Sequence, residues 1–158
     1  MNFLPEVSKI VNAIPAATND AALEGDYVKV ADAHKVVIVV QSKGGHASAS
    51  AITIEQATTA AGAGTTVITK NVQIYSNLDT DATDTLVRRT DAVNYSTDAA
   101  NKNKLVVFVL DPATLDIENE FKYITVKVGI SDIANIVSAQ YYLVDHRYQQ
   151  ATPPTAIL

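Results

Sequence analysis

Apolar positions along this chain follow two different periods. Phe3, Leu4, Val7, Ile10, Val11 and Ile14 recur at spacings of three and four, the stripe of one helical face. Pro5 is tolerated in a first helical turn and Pro15 would stop the helix. This predicts a short N-terminal helix. From Tyr27 onward the period is two. Ile52 and Ile54 oppose Thr53 and Glu55, and Ile124, Val126, Val128 and Ile130 oppose Thr125 and Lys127. Val137, Ala139, Tyr141 and Leu143 share one face of Ile136–Val144. Lys35–Gln41 and Lys104–Leu110 do not alternate at all. Their continuous apolar runs predict central strands covered on both faces, with Val36–Val40 and Leu105–Leu110 in the interior. Weaker strand signals lie at 27–30, 66–75, 85–90 and 93–97.

Glycine and small polar residues separate these segments at 42–50, 58–65 and 77–84, and Asp111-Pro112 opens another turn. Eight or nine strands with several long connections favour two packed antiparallel sheets over a simple meander. The expected fold is therefore all-β, an antiparallel β-sandwich of jelly-roll-like form. It carries a short N-terminal helix and an extended C-terminal tail. The expected division is 1–20 as an N-terminal arm with the helix, 21–147 as the β-sandwich body, and 148–158 as the tail. Pro153 and Pro154 favour an extended, polyproline-like course in that tail.

Composition narrows the function. The chain has 158 residues, enough for one domain with a core of its own. Net charge is -5, and charged residues are only 18% of the total. An under-charged surface suggests that part of it meets other protein. Arg88-Arg89 is the one adjacent basic pair, so a phosphate-tracking surface has no support and nucleic-acid binding is not expected. There is no cysteine, which removes disulfides, thiolate catalysis and cysteine-based zinc sites. No charged stretch followed by an apolar one opens the chain, so no secretory leader is expected. No apolar run approaches a membrane span.

Candidate chemistry is sparse. His34, His46 and His146 are isolated, without a metal-ligand spacing. Asp79, Asp81 and Asp84 cluster in one loop. Calcium takes oxygen ligands, but the EF-hand pattern fails here. Gly62-Ala63-Gly64-Thr65-Thr66 lacks the lysine of a phosphate loop. No G-x-S-x-G elbow is present. Asn94-Tyr95-Ser96 fits a glycosylation sequon only by chance in a chain without a leader. No enzyme, cofactor or metal is expected. The tyrosines differ, because they combine contact area with a polar tip. Tyr141, Tyr142 and Tyr148 gather near the C-terminus, and Phe3 and Leu4 are apolar at the very start.

Gly25-Asp26-Tyr27-Val28, the segment Ile52–Thr65, the stretch Leu110–Gly129 and the Arg147-Tyr148 pair before the proline tail resemble small virion structural proteins of tailed bacteriophages. The resemblance runs from about Gly25 to Pro154. It implies a capsid decoration, or cement, protein with no catalytic residues. It implies a location on the virion surface after synthesis in the bacterial cytoplasm, with the major capsid protein as partner and self-association as a homotrimer. The expected contact residues are Phe3, Leu4, Tyr141, Tyr142, Arg147, Tyr148, Pro153 and Pro154. A neck or tail ring component and a carbohydrate-binding β-sandwich remain as alternatives.

Overall fold

The computed structural model describes residues 8–146 and 157. Twelve strands run in chain order as β1 (Ser8–Thr18), β2 (Leu23–Glu24), β3 (Val28–Lys29), β4 (Ala33–Lys43), β5 (Ala51–Ala57), β6 (Thr66–Val67), β7 (Gln73–Asn77), β8 (Val87–Arg88), β9 (Asn94–Ser96), β10 (Lys104–Leu110), β11 (Tyr123–Val128) and β12 (Ile136–His146). Two single 3-10 turns, Pro112–Thr114 and Ile117–Asn119, join β10 to β11. Asp111 caps the first by accepting from the Ala113 amide at 2.9 Å.

The strands form two antiparallel sheets. The larger has the order β1-β12-β4-β10-β7-β8. The smaller has β2-β11-β5-β6, with β3 also on β11 and β9 also on β5. Their inner faces share one core. Val36, Ile38, Val40, Val106, Phe108, Leu110 and Tyr141 come from the larger sheet, and Ile52, Ile54, Ile124, Val126 and Val128 from the smaller. The two-sheet, all-β architecture expected from the sequence is present.

Among the described residues the N-terminal helix is not. Residues 8–18 are β1, an edge strand of the body, so this part of the expected arm belongs to the larger sheet. The helical spacing has a different origin. Val11, Ile14 and Ala17, three apart, pair with Tyr141, Ala139 and Val137, two apart. A register shift lies in each interval. Each bulge inserts one extra residue, so a spacing of three returns to the same sheet face. Pro15, which lacks an N–H, sits within the second bulge on an edge strand, where the missing donor costs little.

The second correction concerns the central strands. In β10, Val106, Phe108 and Leu110 are buried, whereas Leu105, Val107 and Val109 are only half-buried. In β4, Val36, Ile38 and Val40 are buried, while Val37 and Val39 are half-buried. Both strands are central, but among the described residues only one face lies within the core. A continuous valine run records that both faces are apolar, not what covers them.

Two buried asparagines, which periodicity could not reveal, organise the end of the body where β4, β11 and β1 finish. The Asn135 side-chain carbonyl accepts from the amides of Gly45 (2.8 Å) and His46 (2.9 Å). Asn19 donates through its side chain to the Gly129 carbonyl, and its backbone exchanges bonds with Asn135 and Ser131. The connections after β1, β4 and β11 are thereby tied together.

Candidate functional site

The outer faces of the two sheets differ in chemistry. In the smaller sheet, outward positions include Glu24, Thr53, Glu55 and Lys127. Lys127 lies 2.8 Å from Glu55 and 3.6 Å from Glu24. The Glu55 carboxylate, with which it bonds, holds the ammonium group above its ordinary range. This face has the polar character of a solvated sheet surface.

The larger sheet presents another pattern. Cross-strand pairing sets Ile10, Tyr142, Val37 and Val109 in one outward row. Val39, Val107 and Tyr75 lie in the next, which Gln140 and Asn12 continue, and Leu105 follows beside Gln41. Most of the apolar side chains are β-branched or aromatic, which suits cross-strand packing on a pleated surface. Ile10 is 46% exposed and the other apolar residues named are half-buried. Polar residues surround the patch. Lys35 and Lys43 stand at the two ends of β4, Gln73 beside Val109, and Arg88 lies over the Tyr75 ring at 5.1 Å. Among the described pairs, no Asp or Glu enters an outward row across β1, β12, β4, β10 and β7. This surface is apolar at its centre, with Lys35 and Lys43 on its margin and Arg88 there paired with Asp91 at 2.6 Å. An apolar patch with a polar rim is the pattern of a protein-binding surface.

The expected contact residues divide three ways. Tyr142 lies in the outward row, its hydroxyl donating to Gln140 at 2.9 Å. Tyr141 does not, and its expected interface role is corrected. It is fully buried, and its hydroxyl oxygen accepts from the Val126 amide at 2.9 Å, linking the larger sheet to the smaller. Burial raises its pKa well above the ordinary phenol range. Phe3, Leu4, Arg147, Tyr148, Pro153 and Pro154 lie outside the described residues. Sequence reasoning missed Val37, Val39, Val107 and Val109, because their apolar character was assigned to the interior.

The other candidates resolve into structural parts. Asp79 pairs with Lys102 at 2.5 Å, and hydrogen bonding from Lys102 keeps its carboxyl below the ordinary range. Asp81 accepts from Asn103 at 2.9 and 3.0 Å. These bonds tie the 77–84 loop to the 98–103 turn. Among the described residues, no group of three His, Asp or Glu could hold a metal ion. Gly62, at φ +78, belongs to a turn closed over the Tyr27 ring, and a Cβ there would fall 2.6 Å from that ring. Asn94 lies in β9 of the smaller sheet. Among the described residues no helix is long and apolar enough to cross a membrane.

No protein-family model matches the chain, and no curated protein matches it. Among solved structures it is similar to the SPBc2 prophage-derived protein YomS, at 14% identity and TM-score 0.49, covering 85% of this chain and 91% of that one. It is less similar to CBM4, at 11% identity and TM-score 0.30, covering 89% of this chain and 71% of that one. The PRD1 vertex protein P5 is similar at 9% identity and TM-score 0.32, with 88% of this chain and 96% of that one covered.

Proposed function

We propose that the chain is a non-enzymatic structural protein of a tailed-phage virion. In this reading it is a jelly-roll-like decoration protein that binds the shell of the major capsid protein and associates with its own copies as a trimer. The observation that carries the reading is the outer face of the larger sheet. Five strands present a largely apolar surface with Lys35 and Lys43 at its margin and an Arg88–Asp91 ion pair at one edge. The resemblance of Gly25–Pro154 to small virion proteins points the same way.

Such a surface has a clear physical task. Burying Val37, Val39, Val107, Val109 and Tyr142 against a neighbour removes apolar area from water. The marginal cations favour a partner whose contact is fringed with carboxylates. Because only the assembled shell offers the complete site, binding stabilises the assembled state by mass action. A second reading is a neck or tail ring subunit. It is favoured by exposed isoleucines at opposite ends of the body, Ile117 at one and Ile130 and Ile133 at the other.

The test is co-sedimentation of purified protein with expanded, empty shells of the phage that encodes it. Wild type is expected to saturate the shells at a fixed copy number. A Tyr142→Ala, Val107→Asp double variant with an intact cooperative melt should bind at least about tenfold more weakly. Absence of co-sedimentation by wild type would overturn the capsid reading.

A further inference from the structure

We draw no further inference here: the strongest candidate, the apolar cleft of about 310 Å³ that Val30, Pro112, Leu115, Ile117 and Phe121 line between the β10–β11 connection and the turn before β4, carries nothing, because nothing in the structure shows what covers it.

Discussion

At the scale of single residues, Tyr141 decides most. Its ring fills the core, and its hydroxyl satisfies the Val126 amide of the opposite sheet. A Cβ on Gly25 would fall 2.7 Å from that hydroxyl, so residue 25 must be glycine to admit the contact. Tyr141→Phe keeps the ring and strands the amide in the core. It should cost about 1–3 kcal/mol, read from urea unfolding at neutral pH. The same residue gives a pH dependence. Burial raises the folded-state pKa of this phenol above its ordinary value of 10.0. The unfolded chain therefore ionises first as pH climbs. The contribution of neutral Tyr141 is fully present below about pH 10 and is lost as pH rises from there toward the folded pKa. Wild type should lose stability steeply above pH 10, and Tyr141→Phe, less stable at pH 7, should show a shallower alkaline decline. Equal slopes for the two proteins between pH 9 and 11 would remove Tyr141 as the cause.

At the scale of elements, β10 separates fold from function by alternate residues. Phe108 is wholly buried between the sheets, while the adjacent Val107 faces outward beside Val39 and Tyr75. The sequence alone predicts that Val107→Asp unfolds the domain, because it treats both faces of the strand as interior. The structure reverses that expectation. Phe108→Asp should abolish cooperative unfolding, since an unpaired carboxylate would be driven into the core. Val107→Asp should retain a single cooperative melt and lose roughly 1–2 kcal/mol, the scale of a lost cross-strand apolar pair with a partly solvated charge. Thermal melts of the two variants, side by side, check the assignment of faces. Indistinguishable behaviour would mean that the outward face of β10 is as enclosed as its inward one.

At the scale of the whole molecule, charge is distributed unevenly. The chain carries -5, yet among the described pairs the outward rows of the larger sheet contain cations and no carboxylate. Several acids lie in loops and the smaller sheet, as with Asp79 on Lys102, and Glu24 and Glu55 around Lys127. In the proposed reading, a partner docking on the larger sheet would be steered by Lys35 and Lys43, since Arg88 is already paired with Asp91. Exposed charges of this kind act mainly on the association rate and are screened by salt. Lys35→Glu should slow association with shells by about three- to tenfold at 50 mM salt, and the difference should shrink toward 500 mM. Surface plasmon resonance across a salt series measures this. A rate unchanged at low salt would place the contact elsewhere on the body.

What the sequence determined by itself was the strand content, the antiparallel two-sheet class and most of the inward-facing core. Those properties follow from a period of two, which any half-buried strand must show, as β5 and β11 do. Tertiary structure decided the rest. Whether Val11, Ile14 and Ala17 belong to a helix or to a strand depends on pairing with β12, because two bulges and one helical face both produce a spacing of three. Whether Val37 and Val107 are core or contact surface depends on which layer covers them. A β-branched residue suits either environment, and its own pattern cannot record the difference. Tyr141 and Tyr142, adjacent and chemically identical, diverge for the same reason. Pairing in the sheet turns one into the core and the other outward, and only the register of β12 against β4 says which.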